Sequence, residues 1–162
     1  MTYSMHTKIV VLMITSIMYL LPNNVIHANE SVQMKNIFEI ASWDEAPYLE
    51  LDSGAKYSKA KISKIYSGVM VGTAKLDYLM AYNQSGGAHF TGIEHFEGTI
   101  DNKQGTVSIL HNGTFADGSV KSTFNIISGS QTGELIGIEG KGRYTTSHSL
   151  IVEFEFNYST EK

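Results

Sequence analysis

The sequence has 162 residues, with 12 basic and 16 acidic side chains, six histidines and no cysteine. A slightly acidic chain without runs of lysine or arginine does not fit a protein that binds nucleic acid or an anionic membrane surface through a basic patch. The lack of cysteine excludes disulfides, thiol nucleophiles and thiolate metal sites.

The first 28 residues predict a cleavable secretory signal. Lys8 precedes an apolar run at 9–21, which is too short as a helix to span a bilayer comfortably. Pro22 interrupts the run, and Ala28 is a small residue where a signal peptidase would cut. We therefore expect an exported protein, periplasmic or secreted, with residues 29–162 as one domain and no stable membrane span after cleavage. An uncleaved anchor or a buried first helix is the alternative.

The rest of the chain consists of short runs of alternating apolar and polar residues, nearly all separated by turns that contain glycine. This pattern is typical of strands joined in hairpins. A polar stretch at 44–58 lacks a clear period and is predicted as the longest loop. The predicted strands are 34–43, 59–67, 69–82, 88–97, 106–112, 119–128, 134–144 and 150–158.

These runs predict an all-β domain, a single eight-stranded antiparallel barrel of the lipocalin kind, with almost no helix. Closure is favoured because an open sheet rich in glycine would leave its edge strands prone to pairing. A sandwich of two sheets is the competing architecture. An eight-stranded barrel is just wide enough to be filled by its own side chains or to hold one small ligand.

Alternation predicts which face of the second and the last strand is apolar. In the second strand, the two apolar residues Ala60 and Ile62 are predicted to face inward, with Tyr66 as a further candidate. The polar residues are predicted to face outward, namely Lys59, Lys61, Ser63 and Lys64. The last strand alternates most clearly, with one apolar face formed by Leu150, Val152, Phe154, Phe156 and Tyr158.

Five segments, taken in order, resemble the bacterial family called domain of unknown function 3224. They are SWDEAPY at 42–48, YLMAY at 78–82, GIEHFEG at 92–98, HNGTF at 111–115 and TGELIG at 132–137. The resemblance implies a barrel similar to that of allene oxide cyclase, a fold shared with enzymes that shape the cyclisation of flexible apolar substrates. It implies no activity, because fold does not carry chemistry. The chain departs from the family pattern in its export signal and in His95, where an arginine is expected.

Glu94 is the main candidate for chemistry. Alternation places it on the same side as Phe90 and Phe96, and places Tyr82 on the same side as Tyr78. If these sides face the interior, burial would raise the pKa of Glu94 toward the range of a general acid or base. The tyrosines would then orient a ligand oxygen. The alternative is a structural role, in which Glu94 accepts a hydrogen bond from a tyrosine hydroxyl.

The histidines give weaker indications. His111 shares a face with Val107 and Ile109, and is either a ligand contact or base, or a core residue with its own hydrogen-bond partner. His89 and His95 lie on one face of a strand but are about 20 Å apart, too far to bind one ion. We therefore expect no metal site and no cofactor.

Three functions fit the pattern. The first is a monomeric or dimeric barrel that binds a small, mainly apolar molecule in its interior. The second is a cyclase or isomerase that uses Glu94 as acid and base. The third is a filled barrel whose surface recognises another envelope protein, and a void of a few hundred Å³ separates it from the first two. The candidate ligand contacts are Tyr78, Tyr82, Phe90, Glu94, Phe96 and His111. Trp43 and Tyr48 would form an aromatic rim or a plug at one barrel end.

Overall fold

The structure, a computed structural model, describes residues 35–147 and 149–160. The predicted signal at 1–28 lies outside the described residues. The strands are β1 Ile37–Glu50, β2 Lys56–Ser67, β3 Met70–Tyr82, β4 Ala88–Ile100, β5 Lys103–Ala116, β6 Ser119–Ile126, β7 Ile138–Thr146, β8 Ile151–Glu153 and β9 Glu155–Thr160. A short 3-10 helix, Gly133–Leu135, lies between β6 and β7. No helix within these ranges has the length and apolar character needed to cross a membrane.

The nine strands form one antiparallel sheet in the order β8-β1-β2-β3-β4-β5-β6-β7-β9. β8 pairs with β1 and β9 pairs with β7, while only Phe154 separates β8 from β9. The last segment of the chain therefore joins the two edges of the sheet and curls it into a nearly closed barrel. The all-β antiparallel prediction is confirmed. The strand count differs by one because the predicted last strand divides at Phe154 where it changes partners.

Two further boundaries differ from the prediction. The stretch predicted as the longest loop is strand as far as Glu50, and only residues 51–55 form the turn to β2. Pro47 is tolerated there because this half of β1 pairs with β2 alone among the described strands, so its other edge needs no N–H donor. The predicted strand 134–144 begins only at Ile138, since the 3-10 helix occupies the residues before it.

The two ends of the barrel differ in how well they are filled. At the end where β1 begins, which we call the closed end, a large core cluster fills the interior, and Leu135 of the 3-10 helix packs into it with no exposed surface. At the end where β1 finishes, which we call the open end, a smaller cluster covers only part of the interior. The large cluster comprises Phe38, Tyr66, Met70, Ala74, Phe96, Ile100, Val107, Ile109, Phe124, Ile126, Leu135, Ile138, Tyr144, Val152 and Phe154.

Inward-facing glycines position two of the aromatic rings at the open end. Gly92 pairs with Tyr78, and a methyl group at Gly92 would overlap the ring of Tyr78. Gly113 pairs with Phe90 in the same way, and a methyl group there would overlap the Phe90 ring. Because glycine has no side chain, each ring can lie flat across the neighbouring strand, which keeps the middle of the open end clear.

Candidate functional site

A cavity of about 440 Å³ occupies the open end of the barrel. This volume lies within the range of pockets that hold small molecules. The filled barrel considered from the sequence is therefore not what the described residues form. Most of the lining is aliphatic or aromatic, and the lining residues are Phe38, Ile40, Trp43, Ile62, Lys64, Tyr78, Met80, Tyr82, Phe90, Phe115, Val120, Tyr144, Thr146, Ser149, Leu150 and Val152.

The cavity lies at the seam where the barrel is not fully closed. β1 pairs with β8 only as far as Glu39, and β7 pairs with β9 only as far as Arg143. Beyond these points, residues from both edges line the cavity, including Trp43 on β1 and Tyr144 on β7. The backbone N–H of Ile40 still donates to the carbonyl of Leu150 at 2.8 Å. Among the described residues, the two edges of the barrel are therefore unpaired at its open end.

Glu45 organises the rim of the cavity. Its carboxylate accepts a hydrogen bond from the hydroxyl of Tyr82 at 2.8 Å and another from Nε1 of Trp43 at 3.1 Å. Both donors line the cavity. Tyr48, the other residue considered for an aromatic rim, is exposed and packs against Tyr57 with ring centroids 6.3 Å apart. Of the two predicted rim residues, only Trp43 contributes to the cavity.

The floor of the cavity contains one charged group and a pair of tyrosines. Tyr78 and Tyr144 reach across the interior from β3 and β7, and their hydroxyl oxygens are 3.2 Å apart. The ammonium of Lys64 lies 4.3 Å from the ring centre of Phe38, a favourable cation–π distance. Lys64 is the one charged residue among the described residues that line this cavity.

Below the floor, the carboxylate of Glu94 lies close to three other buried polar side chains. Its Oε2 accepts a hydrogen bond from Nζ of Lys64 at 2.7 Å, and its Oε1 accepts one from the hydroxyl of Tyr66 at 2.6 Å. Nε2 of His111 lies 3.2 Å from Oε2, but its N–H direction is not that of a hydrogen bond. Exposure is 3% for Lys64, 0% for Glu94, 5% for Tyr66 and 1% for His111. We call these four residues the buried polar cluster.

The pKa of Glu94 is lowered to about 2, opposite to the direction expected from the sequence. Burial alone would raise this pKa, as expected. The charge of Lys64 and the interactions with His111 and Lys64 outweigh burial and keep the carboxyl ionised. The expectation was wrong because it treated Glu94 as a carboxylate without a cationic partner.

Tyr66 and His111 are held in their neutral forms. Burial, reinforced by the carboxylate of Glu94, raises the pKa of Tyr66 well above its ordinary value. Burial also lowers the pKa of His111, with a further contribution from the charge of Lys64, although Glu94 acts in the opposite direction. The cluster therefore holds one positive and one negative charge near neutral pH, and no net charge.

The six candidate ligand contacts divide into two groups. Tyr78, Tyr82 and Phe90 line the cavity. The others, Glu94, Phe96 and His111, are fully buried beneath it and do not line it. Phe96 belongs to the core cluster of the closed end, and its ring centre is 5.5 Å from that of Tyr66. All six side chains point inward. Alternation predicts this direction, but it does not predict how deep in the barrel each side chain lies.

Lys64 is the functional candidate that the sequence interpretation missed. Its polar character predicts the outer face, with the other polar residues of β2, whereas the structure places it inside, in the same row as Ile62 and Tyr66. A strict period of two from Ile62 would have predicted this position. The predicted outward position of Lys64 is wrong because a charged side chain can be buried when a partner charge is buried with it.

The residues described by the structure contain no group of three or more histidine, aspartate or glutamate side chains that could hold a metal ion. His89 and His95 point outward on β4, and both are exposed.

The buried polar cluster predicts that stability falls in two steps as the pH is lowered. His111 has a folded-state pKa below its ordinary 6.5, so the unfolded chain takes up that proton first and stability decreases below about pH 6.5. Glu94 has a folded-state pKa of about 2 against an ordinary 4.5, so a second loss begins near pH 4.5 and continues toward pH 2. Urea unfolding measured between pH 8 and pH 3 checks both steps.

Two variants assign these steps. His111→Gln removes the first loss and Glu94→Gln removes the second, because neither glutamine titrates. An unchanged slope between pH 7 and pH 5 in His111→Gln would show that other groups produce the first loss.

Comparison with known proteins gives a family and a fold. The model of a family described as "Protein of unknown function (DUF3224)" matches residues 34–158. A crystal structure from Shewanella oneidensis MR-1, described as a protein with unknown function from the DUF3224 family, is similar with a TM-score of 0.64 and 21% sequence identity. The similarity covers 80% of this chain and 98% of that chain, and at this identity it shows the fold alone. No curated protein matches the sequence.

Proposed function

We propose, for a chain that belongs to the DUF3224 family of proteins of unknown function, that the barrel binds one small, mainly apolar molecule in the cavity at its open end. The observation that carries this proposal is the cavity itself, with about 440 Å³ of space and a lining that is mostly aliphatic and aromatic. Water gains little in such a space, because most of its walls offer no hydrogen bond. An apolar ligand would gain by burying its surface there.

The arrangement of the polar groups supports binding at a defined position. Pockets that orient a ligand combine apolar walls with a few polar groups at fixed points. Here these groups are the Tyr78–Tyr144 pair and Lys64 on the floor, and the hydroxyl of Tyr82 at the rim. Each is held by a hydrogen bond to another side chain, so little conformational entropy would be lost on binding.

The position and the charge of Glu94 do not support the cyclase-type alternative. A general acid or base must lie within hydrogen-bond reach of its substrate and have a pKa near the working pH. Glu94 lies below the cavity floor, bonded to Lys64 and Tyr66, and is held ionised. The exported location and the monomeric or dimeric state of the protein stay predictions from the sequence.

The neutral, apolar dye N-phenyl-1-naphthylamine tests the proposal, because its fluorescence increases in apolar sites. We expect a saturable increase at one dye per barrel. Trp43 is the one tryptophan of the sequence and lines the cavity, so energy transfer from Trp43 to the dye reports where it binds. A folded protein that gives no saturable signal would contradict the proposal.

A paired substitution locates the site. Val120→Phe fills part of the cavity that the dye would occupy. We expect about a tenfold or greater loss of affinity for the dye, which corresponds to about 1.4 kcal/mol or more. Val71→Phe makes the same change on the outer face, where Val71 is 51% exposed, and should leave affinity unchanged. Equal affinity in the two variants would place the dye elsewhere.

A further inference from the structure

Lys64 has hydrogen-bonding capacity that the buried polar cluster does not use. An ammonium group has three N–H donors and no acceptor. Glu94 takes one of these donors, at 2.7 Å, and is the one hydrogen-bond acceptor of Nζ among the residues that the structure describes. The residue also lines the cavity. A ligand group that only accepts hydrogen bonds would therefore complement this part of the floor.

The charge around Lys64 decides what kind of acceptor fits. The carboxylate of Glu94 already balances the charge of this ammonium, and both groups are buried away from water. A carboxylate ligand would add a second negative charge to a site that holds one positive charge, and burying an unpaired charge is costly. The carboxylate of Glu45 at the rim adds a further repulsion. A neutral acceptor avoids both penalties.

We infer that the ligand is an uncharged, mainly apolar molecule with a carbonyl oxygen that accepts a hydrogen bond from Nζ of Lys64. This inference rests on the proposed function and names the chemical class that the same cavity selects. Glu94 and Tyr66 are positioning residues: the first fixes the ammonium by its hydrogen bond, and the second fixes the carboxylate from its other oxygen. The hydrogen bond of a carbonyl to an ammonium is stronger than one between neutral groups.

Three probes of nearly the same shape test this inference by calorimetry. They are 2-acetylnaphthalene, which has the carbonyl; 2-isopropenylnaphthalene, in which a CH₂ group replaces the oxygen; and 2-naphthoate, which is charged. We expect the ketone to bind about tenfold more tightly than the hydrocarbon, and the carboxylate to bind more weakly than the ketone. The carbonyl stretching frequency of the bound ketone should also decrease, as it does when a carbonyl accepts a hydrogen bond.

Two variants connect the preference to Lys64. Lys64→Met should lose the preference, so that the ketone binds no more tightly than the hydrocarbon. Because this change leaves Glu94 buried without its cation, the double variant Lys64→Met/Glu94→Gln removes both charges and tests the same prediction in a neutral interior. A ketone preference that persists in the double variant would overturn the inference.

The remaining outcomes separate the inference from the proposed function. If the hydrocarbon binds in the cavity and the ketone binds no better, the proposed function holds and the role of Lys64 is wrong. If 2-naphthoate binds most tightly, the ligand is an anion and the charge argument is wrong. If none of the three probes binds to the folded protein, the proposed function itself fails.

Discussion

Glu94→Gln is expected to lower the free energy of unfolding by about 3–5 kcal/mol, since breaking a buried ion pair leaves its partner charged and uncompensated. The amide can still accept the hydrogen bond from Tyr66, but it cannot balance the charge of Lys64, which is 3% exposed. Urea unfolding at pH 7 measures the loss. Glu97→Gln, an exposed position on the same strand, makes the same chemical change and should cost little.

A second comparison separates the loss of charge balance from a simple loss of packing. The double variant Lys64→Met/Glu94→Gln removes both charges and should recover a large part of the stability lost in Glu94→Gln, because no unpaired ion is left inside. If Glu94→Gln were no less stable than Glu97→Gln, the ion pair would contribute nothing and the cluster would not need its carboxylate.

Phe96→Ala should cost a similar amount, about 3–5 kcal/mol, because truncating a buried phenylalanine leaves a cavity in the core. Phe96 has no exposed surface and packs in the cluster at the closed end of the barrel. The matched control is Ile93→Ala on the same strand, since Ile93 points outward and is 56% exposed. Urea unfolding of the two variants measures the difference.

The same variant shows whether Phe96 contacts the ligand. In folded Phe96→Ala, the affinity for N-phenyl-1-naphthylamine should stay within about twofold, because Phe96 does not line the cavity. Phe90→Ala should change that affinity clearly, since Phe90 lines the cavity. A large loss of dye affinity in Phe96→Ala that stability does not explain would return Phe96 to the ligand contacts predicted from the sequence.

The fold was predictable because strand periodicity is a local property. Residues 73–80 of β3 and 88–97 of β4 alternate between buried and exposed, so the inward direction of Tyr78 and Glu94 followed from their neighbours. Glycine turns marked most strand ends for the same reason. The split of the last strand at Phe154 was not predictable in this way, because it depends on which two strands lie at the edges of the sheet.

The site was predictable only in part, because its chemistry depends on contacts between distant strands. Lys64 and Glu94 lie on β2 and β4, with β3 between them. Periodicity predicts which way each side chain points, but it does not predict which residue it contacts. With Lys64 predicted to point outward, the cation that lowers the pKa of Glu94 was not considered. One wrong assignment thus produced a second error, in the direction of that pKa.

The division of the last segment between two partners also has a consequence for how the barrel forms. β1 pairs with β2, and β7 pairs with β6, each a strand close in sequence. The other edge of β1 and of β7 is covered only when residues 151–160 pair with it. Until then the sheet has two open edges, which are prone to pair with other chains. Contacts such as Ile37 with Glu153 are also distant in sequence, which slows folding. The cavity lies on this seam, so it is completed in the same step that covers the open edges.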